Sequence, residues 1–371
     1  MIDMASNDAD GVTRVLVTGA SGYLGAHVVK QLQEAGHRVR GTVRSTKNEQ
    51  KIKPLKELCP NAAYELELVE ADLQKEDGWE SAVADCSHVM HVASPFPASN
   101  PANEDEVIRP AVDGTMVVLK AAVAAKVKRV VLTSSLVAIT SFSKSRSVSE
   151  EDWNTGTKES AYNKSKTMAE KAAWDYINGL PDDSKIELAV INPSLIIGPY
   201  LTNTKGTSAS MVSQMLNREM SLLPAINFPC VDVRNVAAAH VRAMTYDTVV
   251  GKRHIMATKN MSMQDVSIVL AAEFKPQGYN PPTKAAPNFF MRIVALFNSE
   301  VKGLLGSLGV VITADNTRMK DVLKIDPIPV EESLIEMGYS VIEKGWVKKT
   351  SNYKGRPQEA AEAAGEASSQ E

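Results

Sequence analysis

The sequence predicts an α/β protein with a doubly wound parallel sheet and a smaller C-terminal lobe. Short apolar runs alternate with longer amphipathic ones through the first half of the chain. A glycine-rich turn follows the first apolar run, and after Gly198-Pro199 the elements become shorter. Strands that alternate with helices pair in parallel, and the helices then cover both faces of the sheet.

The elements of the first half are bounded by apolar periodicity and by helix stop signals. Helix-ending residues follow two amphipathic runs, namely Gly36 after the first and Gly179 with Pro181 after a later one. The sequence predicts strands at 12–18, 38–43, 64–69, 88–93, 129–133 and 186–192, and helices at 23–35, 104–126 and 160–178.

The change of composition after Gly198-Pro199 predicts a division into two parts. We expect residues 12–199 to form the sheet domain, with 232–257 returning to it, and 200–350 to form mainly a lobe that closes over a substrate. From residue 354 to residue 371 the chain holds mostly Gly, Ala, Glu, Ser and Gln, which offer little to bury, so this tail is expected to be disordered.

Composition excludes several functional classes. The net charge of -3 is atypical of a nucleic-acid binder and leaves no polybasic patch for a membrane. The apolar run at 288–297 is interrupted by Arg292 and is too short to span a bilayer, so a packed helix is expected there. Three scattered cysteines and no secretory signal favour the cytoplasm. The histidines show no metal-ligand spacing, since His88 and His91 fall on opposite faces of a strand, and no metal site is expected.

The glycine-rich turn predicts a dinucleotide site. Gly19, Gly22 and Gly25 are spaced GxxGxxG between the first strand and the first helix. Such glycines allow a tight turn, let backbone N–H groups approach a pyrophosphate, and let helix and strand pack closely. We therefore expect a Rossmann domain at 12–199 in which the turn, including Ser21, Tyr23 and Leu24, binds the cofactor at the helix N-terminus.

The end of the second strand favours NADPH over NADH. An NAD site usually has a carboxylate there, but residues 37–48 contain no acid. Basic residues stand there instead, and a guanidinium can bind a 2′-phosphate with two hydrogen bonds, so Arg44 is the first candidate and Lys51 the second. Further cofactor contacts are expected where the third and fourth strands end, at Asp72 and Leu73 and at Val92, Ala93 and Ser94. Asp72 could equally be a turn former.

Three residues predict carbonyl reduction. Tyr162 and Lys166 are four residues apart on a predicted helix, so both side chains reach the same cleft. A free phenol has a pKa near 10, and a nearby ammonium should lower it. Ser135 ends the fifth strand, at the sheet edge where ligands bind, and its hydroxyl can polarise a substrate oxygen.

These motifs together resemble extended short-chain dehydrogenases/reductases, in the branch of dihydroflavonol 4-reductases, cinnamoyl-CoA reductases and fungal methylglyoxal or ketone reductases. The resemblance rests on VTGASGYLG, GTVR (41–44), HVASP (91–95), LTSS (132–135), YNKSKTMAEK (162–171), NPS (192–194) and Gly198-Pro199, and covers about 14–257. It implies an NADPH cofactor, a Ser135/Tyr162/Lys166 triad, and Pro193 and Ser194 beside the nicotinamide. It also implies that Phe96 and Tyr200 lie where the substrate cleft opens.

The substrate stays open. The residues after Ser135 are largely apolar, unlike the polar position of plant dihydroflavonol reductases, and the cinnamoyl-CoA reductase signature KNWYCYGK is absent. We expect a small aldehyde or ketone as the partner molecule and a monomer or homodimer. Two alternatives remain: a same-fold nucleotide-sugar epimerase/dehydratase or steroid dehydrogenase/isomerase, and a non-catalytic NADPH-binding redox sensor.

Overall fold

The fold is taken from a computed structural model, which describes residues 12–95, 103–156, 159–297 and 299–356. In chain order the described strands are β1 (Arg14–Val17), β2 (Arg38–Val43), β3 (Glu67–Glu70), β4 (His88–His91), β5 (Arg129–Thr133), β6 (Arg146–Val148), β7 (Glu187–Pro193), β8 (Leu195–Ile197), β9 (Asn227–Asp232), β10 (Arg253–Met256), β11 (Lys259–Ser262) and β12 (Ile312–Ala314). The helices are α1 (Tyr23–Glu34), α2 (Glu49–Lys56), α3 (Trp79–Val83), α4 (Asp105–Ala124), α5 (Ala161–Asn178), α6 (Thr207–Leu216), α7 (Val233–Thr245), α8 (Met263–Phe274), α9 (Asn288–Val294), α10 (Ser299–Leu304) and α11 (Val330–Glu343).

A seven-stranded sheet forms the centre, in the order β10-β7-β5-β4-β1-β2-β3, and its strand pairs are parallel. The chain order reverses between β1 and β4, which makes this the topological switch point where ligands bind in such sheets. The predicted doubly wound sheet is confirmed, and residues Arg253–Met256 return to it beside β7.

Helices cover both faces of the sheet, and successive side chains of a strand are buried on opposite faces. Val15 and Val17 of β1 pack in a core with α1 and α7, whereas Leu16 packs in the opposite core with α3, α4 and α5. A strand buried on both faces needs the nearly continuous apolar run that β1 has.

The smaller lobe has its own core. Side chains from α6, α8 and α11 pack together there, and a three-stranded sheet in the order β11-β9-β8 supports them. The chain then returns from the lobe, so that β12 pairs with β6 near the end of β5. At the expected tail, Arg356 of the lobe forms an ion pair with Glu343, and residues 357–371 lie outside the described residues.

The apolar run at 288–297 forms a helix as expected, but only one side of this helix is packed. The helix α9 buries Met291, and Ala295 is buried just after it, but Phe289, Leu296 and Phe297 are 69%, 78% and 88% exposed. Most of the large apolar side chains of this run therefore face outward. Among the described residues, we find no helix with the length and apolarity needed to cross a bilayer.

Candidate active site

The glycine turn at the switch point has no room for side chains. Gly19 adopts a φ of +67°, and a Cβ on it would lie 3.0 Å from the Cβ of Ala93. A Cβ on Gly25 would lie 2.3 Å from the carbonyl oxygen of Gly19. Gly22 is the N-cap residue of α1 and has no side chain, so it offers no capping hydrogen bond to the N–H groups of the first turn, Tyr23 and Leu24 included. This backbone fits a pyrophosphate.

A buried histidine fixes the opposite side of this turn. The hydroxyl of Thr18 lies 2.9 Å from Nδ1 of His91 and accepts a 2.9 Å hydrogen bond from the N–H of Ala93. Burial lowers the pKa of His91 to about 3, so the imidazole is neutral at pH 7. Thr18 thus bridges His91 and Ala93 and holds Ala93 against Gly19.

The basic residues near the end of β2 have different surroundings. Arg44 follows β2 directly and is exposed, and Lys51 lies half-buried in α2. Arg40, in contrast, is buried, donates to the carbonyls of Ala82 and Ala84 at 3.1 and 2.7 Å, and pairs with Glu67. Arg40 therefore supports the end of α3, which leaves Arg44 and Lys51 as the candidates for the 2′-phosphate.

The other predicted cofactor residues follow β3 and β4. Asp72 accepts from the N–H of Gln74 at 3.0 Å, which is the turn geometry that the sequence left open. Leu73 packs closely against α4 at Gly114. Val92 and Ala93 are half-buried after β4, and Ser94 is exposed.

The predicted catalytic residues come together. Ser135 lies two residues after the end of β5. Its hydroxyl is hydrogen-bonded with Tyr162. Tyr162 and Lys166 lie on α5, whose first turn is capped by the Ser160 hydroxyl accepting from the N–H of Asn163. Lys166 is buried at 9% exposure. The serine and the phenol thus meet near the carboxyl edge of the sheet, and Lys166 lies one turn further along the same helix.

The protonation of this group differs from the expectation. Burial raises the pKa of Tyr162, and its hydrogen bond with Ser135 opposes that effect. Burial also lowers the pKa of Lys166 to about 8. Lys166 has already lost its proton at the pH where the phenol would ionise, so in the ligand-free protein burial outweighs the expected lowering and the Tyr162 pKa is raised. At pH 7 Tyr162 carries its proton and Lys166 is charged.

A buried hydroxyl next to the predicted nicotinamide position lacks a protein partner. The N–H of Ser194 donates to the carbonyl of Met256 at 2.9 Å, while its hydroxyl is buried and makes no hydrogen bond within the part of the chain that the structure describes. Pro193 is buried at the end of β7. An unsatisfied buried hydroxyl is costly, so a bound polar group would stabilise it.

Tyr200 and Phe96 are the two aromatic residues expected where the substrate cleft opens. The ring of Tyr200 stacks on that of Tyr23 with centroids 3.9 Å apart, and is 4% exposed. The hydroxyl of Tyr23 donates to the carbonyl of Gly198 at 2.9 Å. These side chains pack between the sheet domain and the lobe. Tyr23 therefore contributes its backbone, and not its side chain, to the glycine turn. Phe96 lies outside the described residues.

A buried charged residue that no sequence motif marks lies close to the predicted triad. Glu170, at 1% exposure, lies one helical turn after Lys166 and forms an ion pair with Arg253 of β10, with 2.6 Å between Nε and Oε1. The spacing between Glu170 and Lys166 can be read from the sequence. The partner of Glu170, Arg253, lies 83 residues further along the chain and cannot be identified in that way. Among the described residues no group of His, Cys, Asp and Glu side chains could hold a metal ion.

The chain matches a known protein family and is similar to known proteins over most of its length. Residues 15–257 match the NAD dependent epimerase/dehydratase family. The chain is similar to the NADPH-dependent methylglyoxal reductase GRE2 of Saccharomyces cerevisiae, with 33% identity over 285 residues, which covers 70% of this chain and 82% of that protein. It is also similar to cinnamoyl-CoA reductase CAD2 of Medicago truncatula, with 33% identity over 310 residues, covering 81% and 92%.

A solved structure agrees over most of the chain. Gre2 from Candida albicans in complex with NADPH has a TM-score of 0.73 and 27% sequence identity, and the match covers 90% of this chain and 99% of that one.

Proposed function

Because this chain belongs to the NAD dependent epimerase/dehydratase family, we propose that it is an NADPH-dependent reductase that transfers a hydride to the carbonyl of a small aldehyde or ketone. One observation carries the proposal: the Tyr162 phenol is hydrogen-bonded with Ser135 and shares the face of α5 with the Lys166 ammonium. Similarity to the NADPH-dependent reductase GRE2 and to NADPH-bound Gre2 supports the choice of reaction and cofactor.

The residues present fit the phosphorylated dinucleotide. The turn at Gly19, Gly22 and Gly25 leaves open backbone where a Cβ would collide, and the Ser194 hydroxyl is buried without a partner among the described residues. Arg44, exposed directly after β2, would pair with the 2′-phosphate, and Lys51 is the second candidate. When bound, NADPH supplies the hydride.

The chain's own residues supply the proton and the orientation. Ser135 Oγ donates to the carbonyl oxygen and so favours the negative charge that develops there. Tyr162, which burial keeps protonated, transfers its Oη proton to that oxygen. The charged Lys166 stabilises the phenolate that remains and binds the nicotinamide ribose hydroxyls.

We further propose that the reaction takes place in the cytoplasm, in a monomer or homodimer. The three cysteines are free thiols, and two of them, Cys86 and Cys230, are buried. Free thiols of this kind are typical of a reducing compartment.

The test is Tyr162→Phe, assayed by NADPH absorbance with a panel of small aldehydes, ketones and diketones. We expect turnover to fall by at least about 100-fold, since a positioned general acid contributes that much, while NADPH fluorescence titration shows unchanged binding. Wild-type rates in Tyr162→Phe would refute the assignment of the acid. Tightly held NAD in the purified protein would instead favour an epimerase, and no NADPH consumption with any substrate would favour a sensor.

A further inference from the structure

Behind the catalytic residues lies a buried polar cluster, which we name the Glu170 cluster: Glu170, Arg253, Ser134 and Asn192. Glu170 Oε2 accepts from the Ser134 hydroxyl at 2.5 Å and from Asn192 Nδ2 at 2.8 Å, while Oε1 accepts from Arg253 Nε at 2.6 Å. All four side chains are at most 6% exposed. Glu170 is the centre, because each of the other three donates to it.

The cluster touches the catalytic residues in two places. Asn192 Nδ2 also donates to the carbonyl oxygen of Ser135 at 3.3 Å, which ties the carboxylate to the backbone that carries the catalytic hydroxyl. Glu170 and Lys166 lie one helical turn apart and line the same small cavity with Ser134. A carboxylate on α5 therefore lines the cavity that Lys166 also lines.

Few other charges reach Lys166. From β4 it faces His91, which burial keeps neutral, and from its own helix it faces Tyr162, which is protonated at pH 7. The helix α4, packed against α5, contributes the uncharged Thr115 to the cavity wall. Among the described residues that line this cavity, Glu170 is the one acidic side chain.

Arg253 holds the carboxylate in place from the far side. Its guanidinium lies 3.8 Å from the centroid of the Trp153 ring and donates to the carbonyl of Glu150 at 3.1 Å. A buried ion pair is a poor source of stability, because two charges must be removed from water. The cost makes sense if the carboxylate serves the neighbouring ammonium.

We infer that Glu170 is a positioning residue, which keeps the buried Lys166 ammonium charged and holds the Ser135 backbone in place for proton transfer. The inference rests on the proposed reductase function for the meaning of that charge. Burial lowers the pKa of Lys166 to about 8, and the Glu170 carboxylate is the influence that opposes this fall. Without the carboxylate, Lys166 would lose its proton closer to neutrality.

The experiment compares Glu170→Gln, Arg253→Gln and the double variant with the wild type. The pKa of Lys166 is measured in the nucleotide-free protein by trace acetylation with acetic anhydride over a pH series, with mass spectrometry of the peptide that contains Lys166. We expect that pKa to fall by about one pH unit or more in Glu170→Gln and in the double variant, because a nearby opposite charge shifts a pKa by that much. Arg253→Gln keeps the carboxylate and should show no fall.

The same variants are then assayed for pH dependence of NADPH-linked reduction. The alkaline limit of kcat/KM should move to lower pH in the two variants that lack the carboxylate and stay in place in Arg253→Gln. Glu170→Gln leaves Arg253 buried without a counter-charge, so if it fails to fold, the double variant, which removes both charges, carries the test.

Two results would overturn the inference. An unchanged Lys166 pKa in the variants without the carboxylate would show that Glu170 does not support the charge. An equal fall in Arg253→Gln would show that loosening of the core, not loss of the carboxylate, is responsible. The acetylation measurement needs no substrate, so a protein with the shift but no reductase activity would refute the proposed function and leave the role of Glu170 standing.

Discussion

At the scale of single residues, the protonation of Lys166 makes the reaction sensitive to pH. Burial lowers the pKa of Lys166 to about 8, so the ammonium is present below that pH and lost above it. Loss of the charge removes the group that stabilises the Tyr162 phenolate. We therefore expect kcat/KM, which reports the free enzyme, to fall about tenfold per pH unit above the Lys166 pKa.

The control for this prediction is Lys166→Arg, whose guanidinium stays charged throughout. This variant should lose activity because its geometry differs, but its remaining activity should show no alkaline limit from residue 166. A wild-type profile that stays flat more than one pH unit above the Lys166 pKa would contradict the prediction.

Cofactor choice is also decided by single side chains. Arg44 is exposed at the end of β2, whereas Arg40 of the same strand is buried in contacts with protein carbonyls. Arg44→Ala should raise the KM for NADPH by about tenfold or more, since a hydrogen bond between charged groups is worth roughly 1.5–3 kcal/mol. The KM for NADH should hardly change. Both constants are obtained from initial rates with a single carbonyl substrate.

The matched control is Arg40→Ala, which should lower the free energy of unfolding in urea without a preference between the cofactors. If Arg44→Ala leaves the ratio of NADPH to NADH efficiency unchanged, the 2′-phosphate is bound elsewhere, with Lys51 the next candidate.

At the scale of elements, the junction of β1 and α1 depends on backbone contact. Gly25→Ala places a Cβ 2.3 Å from the carbonyl oxygen of Gly19, so the helix must move away from the turn. We expect a loss of about 1–3 kcal/mol in the free energy of unfolding, as for other overpacked sites, and weaker NADPH binding by fluorescence titration.

Gly303→Ala is the control, because a Cβ on Gly303 of α10 meets no atom within 4 Å. Both measured quantities should stay within about 0.5 kcal/mol of the wild type there. Tight NADPH binding in Gly25→Ala would mean that the turn adapts and that close packing is not required.

The elements of the first half could be predicted because their signals are local. β1 and α1 follow from an apolar run and a glycine triplet, and α5 begins at the Ser160 cap within one residue of the predicted start. The strand predicted at 64–69 is shorter at its start, because β3 pairs as Glu67–Glu70 with four residues of β2. Pairing between strands sets such ends, and one strand's sequence does not contain them.

The candidate site could be predicted only where its residues carry motifs. Ser135, Tyr162 and Lys166 stand at recognisable positions, but the ion pair of Glu170 with Arg253 joins elements that are far apart in sequence. The stacking of Tyr23 on Tyr200 is of the same kind. The pKa values of Lys166 and Tyr162 likewise depend on burial by the surrounding fold, which the spacing of the two residues on the helix does not contain.

At the scale of the whole molecule, burial of histidines couples folding to pH. Burial lowers the pKa of all six histidines from 6.5, and for five of them the fall is large: to about 4 for His27, His88, His240 and His254 and to about 3 for His91. Below pH 6.5 the histidines of the unfolded chain bind protons. The same histidines in the folded chain bind protons only at the lower pH of their own pKa values. Stability from these residues is therefore complete above pH 6.5 and is lost as the pH falls toward 4.

The free energy of unfolding in urea should therefore fall on the order of 5 kcal/mol between pH 6.5 and 5.5, about 1 kcal/mol for each of the five. That is comparable to the total stability of many domains, so unfolding should be complete before the folded histidines protonate. His240→Gln should flatten the pH dependence, because a neutral amide replaces a ring that is 0% exposed. His37→Gln, at a half-buried position, should change it less. A free energy of unfolding that stays constant over this range would contradict the prediction. It would show that the buried imidazole rings bind protons in the folded protein as readily as in the unfolded chain.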